Sequence, residues 1–208
     1  MRASNPSATA SCSARRRIIR SYLAAVLTGM RQGELLALRW EDCELVFGRV
    51  QVRRTLWRVG KRWGFKEPKT PSSRRVVPLS PPLVEELLRL RTEQEERKRK
   101  LGDRYHDLDL VFCNHNGGPL QAHNLVRRDF RKVLARAKLP MIRFHDLRHT
   151  AATRLFGAGV HPKAVADLLG HASIGTTMNV YTHAIPALAE EAVRRLGELL
   201  VARSAEGN

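Results

Sequence analysis

Gly48–Val59 reads GRVQVRRTLWRV, and Ser73–Leu79 reads SRRVVPL. Both are rich in β-branched and basic residues, which fit a pleated, half-buried surface. The segment between them, GKRWGFKEPKTPS, carries the Gly, Pro and Lys residues of an exposed turn. Together they predict a small antiparallel β-sheet with a projecting basic hairpin. The residues on either side have helical spacing, so this stretch decides between an all-helical chain and an α+β one.

Upstream, Ile18, Ile19, Tyr22, Leu23, Val26 and Leu27 recur at helical intervals over Arg15–Leu27. Gly29 breaks that helix. A second helix is expected from Arg31 to Trp40, with Leu35, Leu36 and Leu38 turned to the core. Residues 1–14 are small and polar and are expected to be disordered. Downstream, Pro81 and Pro82 open a long helix, PPLVEELLRLRTEQEERKRKL, because proline suits a first helical turn. Its charged second half is read as a solvated face. DLVFCNHNGGPL is read as a short apolar strand and a Gly-Gly turn. Helices then follow over about 121–137, 145–157, 162–170 and 173–183. A last amphipathic helix over about 187–202 carries Leu188, Ala192, Leu196 and Leu199 on one stripe. The expected fold is a mainly helical α+β domain over 15–203, with its small sheet in the N-terminal third.

The chain has 208 residues, with 37 Lys+Arg against 20 Asp+Glu and a formal net charge of +17. Such an excess favours a polyanionic partner, with nucleic acid first. Cys12, Cys43 and Cys113 are widely spaced and odd in number, which suggests neither a disulfide framework nor a thiolate zinc site. RRRIIRSYLAAVLTGM has the basic-then-apolar order of a signal peptide, but Arg20 interrupts its apolar part. A cytoplasmic, nucleoid-associated protein with no membrane partner is expected.

Four segments contain residues suited to chemistry. In TGMRQGELLALRW, Arg31 follows a helix break, where its guanidinium can join orphan backbone N–H groups in binding an anion. Glu34 lies three residues on and can orient it, although such a pair taken alone is more often a plain surface ion pair. In FHDLRHTAATRL, His145 and Arg148 share a helix face. The arginine fork matches two phosphate oxygens, and the histidine can donate or move a proton. His145 and His149 also have the spacing of zinc-binding helices, but the residue after His145 is Asp146, not the Glu that the motif requires. In LLGHASIGTTMNVYTH, His171 follows Gly170, and Tyr181 is a candidate nucleophile that would need cationic neighbours. In KEPKTPSSRRVVPL, Lys69 sits where a loop can carry an ammonium into a cleft; non-specific contact with a phosphate backbone is the rival reading.

Taken in order, TGMRQGELLAL, KTPSSRRVVPL, HDLRH, LGH and the following tyrosine resemble the catalytic domain of the tyrosine recombinases, the phage-integrase family, over roughly residues 15–200. The resemblance implies that Arg31 and Arg148 clamp a scissile phosphate and that Tyr181 attacks it to leave a 3′-phosphotyrosyl bond. It implies that Lys69 protonates the departing 5′ oxygen, His145 assists proton transfer, His171 hydrogen-bonds the phosphate and Glu34 supports Arg31. No metal or other cofactor is implied, because two guanidinium groups supply the charge that magnesium would bring. The implied partners are double-stranded DNA and further copies of the chain in a tetrameric synapse, a monomer being allowed in the free state. The implied function is site-specific recombination, whether integration or excision. The sequence departs from the family pattern in lacking a recognisable N-terminal core-binding domain and an L-T-x-E-E first helix. A truncated remnant that only binds DNA, and a topoisomerase-like relaxing activity, are the alternatives. The last helix is expected either to cover its own core or to dock on a neighbouring protomer.

Overall fold

The computed structural model describes residues 6–60, 62–67 and 74–170, with 175, 178 and 194; for 6–15 it describes the backbone alone. Helix α1 runs Pro6–Thr28. It therefore begins well before Arg15, and residues 6–14, expected to be disordered, are helical in backbone. Alanine is the best helix former and proline is tolerated in a first turn, so a small-residue segment can extend a helix that is anchored further on. Arg20 anchors it: its guanidinium donates to Glu86 at 2.9 Å and to both carboxylate oxygens of Glu93 at 2.7 and 2.8 Å. The helix stops where Thr28 Oγ1 donates back to Ala24 O at 2.6 Å and Gly29 turns left-handed at φ 60°.

Helix α2 covers only Gln32–Leu36, shorter than the expected Arg31–Trp40. Tertiary pairing wins over helix propensity here. Arg39 bridges Leu110, Trp40 N donates to Asp109 O at 2.9 Å and Val111 N donates to Leu38 O at 2.9 Å. The segment DLVF thus exists as bridges that draw residues 38–40 out of the helix. A second bridge, Cys113 with Pro119, closes the expected Gly-Gly turn, where Asn114 Oδ1 accepts from Asn116 N and Gly118 N.

The expected small sheet divides in two. Strands β1 (Cys43–Glu44), β2 (Arg49–Val52) and β5 (Arg75–Pro78) form an antiparallel sheet in the order β1-β2-β5. Strands β3 (Thr55–Val59) and β4 (Arg62–Lys66) form a separate hairpin turning at Gly60. Alternation sorts the faces: Val50, Val52 and Val77 are buried while Arg49 and Val76 are exposed.

Helix α3 (Pro81–Leu101) buries Leu83, Leu87 and Leu90. The stripe continues through Gln94 and Arg97, so the charged half is not wholly a solvated face. Gln94 is satisfied inside, donating to Tyr105 Oη at 2.9 Å and Leu110 O at 2.8 Å and accepting from Trp40 Nε1 at 3.3 Å. The stretch expected as one helix over 121–137 is α4 (Ala122–Asn124), a π-helical segment (Leu125–Phe130) and α5 (Arg131–Arg136). Tyr22 reaches the start of the π segment, donating to Leu125 O at 2.9 Å, and packs edge-on against Phe130 and Phe144.

Helices α6 (Asp146–Gly157) and α7 (Pro162–Leu169) enclose a second core of Ala152, Phe156, Val165 and Leu169. The expected helices over 173–183 and 187–202 lie outside the described residues, except Gly175, Met178 and Arg194, each of which is helical. The apolar stripe expected on the last helix, Leu188, Ala192, Leu196 and Leu199, lies outside the described residues. Among the described residues no helix is long and apolar enough to cross a membrane.

Candidate active site

The site forms around the C-terminal end of α7. A helix end leaves its last carbonyls without intrahelical partners. Here three successive carbonyls each accept from a different arginine. Arg75 Nε donates to Leu168 O at 2.6 Å, Arg148 Nη2 to Leu169 O at 2.7 Å and Arg31 Nη2 to Gly170 O at 2.8 Å. Cations at this negative end of the helix dipole are also favourably placed. Gly170 ends the helix at φ 67°, a conformation that glycine adopts freely. The next residue in the chain is His171.

Each arginine comes from a different element. Arg31 stands in extended backbone immediately before α2. Arg148 lies in the first turn of α6 and is 5% exposed. It also donates through Nη1 to Gly29 O at 2.7 Å, so the turn that ends α1 is part of the site. Gly29 is needed there: a Cβ on it would sit 2.3 Å from Leu169 Cδ2. Arg75 lies on β5.

Glu34 is the shared counter-ion. Its Oε1 accepts from Arg31 Nη1 at 2.8 Å, and its Oε2 accepts from Arg31 N at 3.0 Å and Arg75 Nη2 at 2.9 Å. At 4% exposure, burial pushes its carboxyl upward, but the hydrogen bonds and charge of Arg75 and the bonds from Arg31 outweigh that and hold it below the usual range. It is therefore a structural anion and not a surface partner.

Arg148 has no carboxylate of its own among these contacts. Burial, then the positive charges of Arg31 and Arg75, pull its guanidinium down to about 9, against a smaller opposing effect of Glu34. It remains charged at neutral pH, in a setting where another anion would relieve its desolvation. Three guanidiniums against one carboxylate leave the cluster at a net of 3 − 1 = +2. Preorganised donors of this kind stabilise negative charge that develops on a bound oxyanion.

His145 immediately precedes α6 and is exposed, three residues from Arg148. Burial, His149 and Arg148 all lower its pKa, so the imidazole is neutral near pH 7 and able to accept a proton. Its ring stacks edge-on to that of His149 at 5.0 Å. Among the described residues, no third histidine, cysteine or carboxylate joins this pair in a metal-binding group.

The fold thus brings together Arg31, Glu34 and Arg148 and places His145 at the same end of α6. Lys69, His171 and Tyr181 lie outside the described residues. In the chain His171 follows Gly170, and the segment carrying Lys69 precedes β5. Sequence reasoning missed Arg75. The signal was the period of two in SRRVVPL, which puts Arg75 on the inward face with Val77. Beside it, a cleft of about 710 Å³ between the sheet and the hairpin is lined by Arg39, Arg53, Arg54, Lys66 and Arg74, with Glu67 as an acidic member.

Residues 2–187 match the sequence model of the phage integrase family. The chain is 38% identical over 192 residues to a "Tyrosine recombinase XerC-like" protein of Caldanaerobacter subterraneus subsp. tengcongensis, covering 86% of this chain and 49% of that one. It is 31% identical over 179 residues to the ICEBs1 integrase of Bacillus subtilis, covering 86% and 48%. The chain thus spans about half the length of these relatives. Among solved structures it is similar to the Tn1549 transposon integrase in complex with transposon right end DNA, at a TM-score of 0.72 and 25% identity, over 93% of this chain and 65% of that one. It is also similar to the XerH site-specific recombinase bound to a palindromic difH substrate, at a TM-score of 0.62 and 28% identity, over 93% and 47%. The mainly helical α+β fold and its small antiparallel sheets agree with these structures. The chain belongs to the phage integrase family, as a tyrosine recombinase catalytic domain.

Proposed function

We propose that this chain cleaves and rejoins DNA strands in site-specific recombination through a covalent 3′-phosphotyrosyl intermediate. One observation carries the reading. Arg31 and Arg148, far apart in sequence, converge on the adjacent carbonyls of Gly170 and Leu169, immediately before His171. Residues that gather at one point from separate elements, with more positive than negative charge, suit a phosphodiester.

In this reading Arg31 and Arg148 hold the non-bridging oxygens of the scissile phosphate, while Glu34 fixes Arg31. The Tyr181 oxygen attacks phosphorus and its proton passes to a base, for which His145 is suited. The bond from phosphorus to the 5′ oxygen breaks, and Lys69 supplies the proton that this oxygen takes. His171 donates to the phosphate. The transition state carries more negative charge on its oxygens than the ground state does, so fixed cations lower the barrier. The phosphotyrosyl bond retains the energy of the original linkage, and a 5′-hydroxyl of another strand reverses the step without ATP. The chemistry assigns no role to a metal.

The partner is double-stranded DNA, and the relatives named above whose structures contain DNA support that choice. Strand exchange between two duplexes calls for four protomers in a synapse and allows a monomer in the free state. The net charge and the proposed DNA substrate fit a protein of the cytoplasm and nucleoid.

The test uses a pool of nicked duplexes with a randomised segment, in which cleavage releases a short strand and traps the intermediate. A protein–DNA adduct on a denaturing gel, lost in Tyr181→Phe, is expected. No adduct from the wild type, or an undiminished one from the variant, overturns the reading. Relaxation of any supercoiled plasmid regardless of sequence would favour a topoisomerase instead.

A further inference from the structure

We propose that Arg75 is a positioning residue for strand cleavage: it ties Glu34 to the C-terminal end of α7, and thereby aims both Arg31 and the chain at His171. The proposal rests on the phosphotyrosyl reading above.

Four observations support it. Arg75 is one of the most buried charged side chains of the site, with 7% exposure. Its fork is divided between two elements, Nη2 donating to Glu34 Oε2 at 2.9 Å and Nε to Leu168 O at 2.6 Å. It packs against the last residue before His171, since a Cβ on Gly170 would lie 2.7 Å from Arg75 Nη1. It also begins β5, directly after the segment that carries Lys69. One guanidinium therefore joins α2, the end of α7 and strand β5.

Arg75 differs from both proposed clamp residues. It combines an ion pair to Glu34 with a side chain only 7% exposed, whereas Arg31 shares that carboxylate but is 39% exposed, and Arg148 is buried but donates to the carbonyls of Gly29 and Leu169. Arg75 is thus placed to act through Glu34 and α7. The charged groups facing Glu34 are Arg31 ahead of α2, Arg75 on β5 and Arg148 on α6. Without Arg75, the carboxylate keeps its burial and loses its strongest partner, so it takes up a proton more readily. Arg31 then rests on a carboxylate that is no longer tied to β5 and the end of α7. A displacement on the order of 1 Å in a positioned group can cost about 10²-fold in rate.

The experiment compares wild type, Arg75→Gln, Arg75→Lys, Glu34→Gln and the Arg75→Gln/Glu34→Gln double variant. Single-turnover adduct formation is measured on the nicked duplex selected above, and DNA affinity on the same duplex with Tyr181→Phe in each background. Arg75→Gln is expected to lower the cleavage rate by about 10- to 100-fold while the Kd for DNA changes little. Arg75→Lys restores part of the rate, because an ammonium can serve Glu34 or Leu168 O but not both. The double variant loses little beyond the worse single one. In parallel, carboxyl-carbon NMR follows the Glu34 titration, which moves to higher pH in Arg75→Gln. A wild-type rate in Arg75→Gln, fully additive losses, or an unmoved Glu34 midpoint overturns the proposal. If the wild type forms no adduct, the functional reading falls, and the Glu34 titration alone decides whether Arg75 sets this cluster. If Arg75→Gln does not fold, the Arg75→Lys rate and titration decide in its place.

Discussion

Replacing Arg148 by lysine keeps the charge and removes the planar fork. The native guanidinium satisfies two carbonyls at once, Gly29 O and Leu169 O, both at 2.7 Å. A single ammonium on a shorter stem can reach one of them. The other is left unpaired in a region where the side chain is 5% exposed. An orphaned buried acceptor costs about 1–3 kcal/mol, and in a domain of this size each kcal/mol lowers Tm by about 2–4 °C. Arg148→Lys should therefore unfold some 2–12 °C below wild type by that arithmetic. Catalytically, losing one preorganised donor to the developing oxyanion costs on the order of 3–4 kcal/mol, or about 10²- to 10³-fold in rate. The two effects are separable: adduct formation measured well below both melting temperatures should still show the full kinetic loss. An unchanged Tm would refute the dual anchoring of Gly29 and Leu169. An unchanged cleavage rate at unchanged Tm would refute the clamp.

Glu34→Gln should destabilise the fold by about 3 kcal/mol, the low end for breaking a buried ion pair, because the Arg31 arm is partly exposed. The folded carboxyl titrates below its unfolded value, so this stability is present above about pH 4.5 and is lost as pH falls through the folded pKa; melting curves of wild type and variant should converge in acid. Gly170→Ala forces a left-handed φ of 67° on a residue whose Cβ would meet Arg75 Nη1 at 2.7 Å; slower cleavage at near-native DNA affinity is expected, read from adduct kinetics and filter binding. Binding to duplex DNA should fall with salt at a slope of about −0.9 per phosphate contacted in a plot of log K against log salt. Charge reversal in the basic cleft, such as Arg53→Glu, should make that slope shallower if the cleft lies on DNA.

The sequence exposed the fold at the level of element order. Helical spacing over Ile18–Leu27, the β-branched run at Val50–Val52 and the prolines before α3 all correspond to observed elements. It failed where distant pairing overrides local preference. Leu36–Trp40 reads as helix, yet the Leu110 segment claims Leu38, Arg39 and Trp40 as partners. One expected sheet became two because β2 pairs with β5, skipping the hairpin between them, and sequence proximity does not encode that register.

The site was legible where residue type and spacing coincide. Arg31 and Glu34 share two donor–acceptor contacts, and Arg148 reaches the same helix end as Arg31. Spacing could not reveal that both arginines cap the same helix end, because that depends on where α7 stops. Arg75 was hidden for the same reason: an arginine in a basic hairpin looks like a DNA contact until its partners are known.

In the proposed reaction Tyr181 carries the phosphate. Trapped protein–DNA adduct can be digested and the DNA-linked peptide sequenced by mass spectrometry. A nucleotide 3′-phosphate attached to Tyr181, and to neither Tyr22 nor Tyr105, is expected. Attachment at another residue, or cleaved DNA with no linked peptide at all, would contradict it.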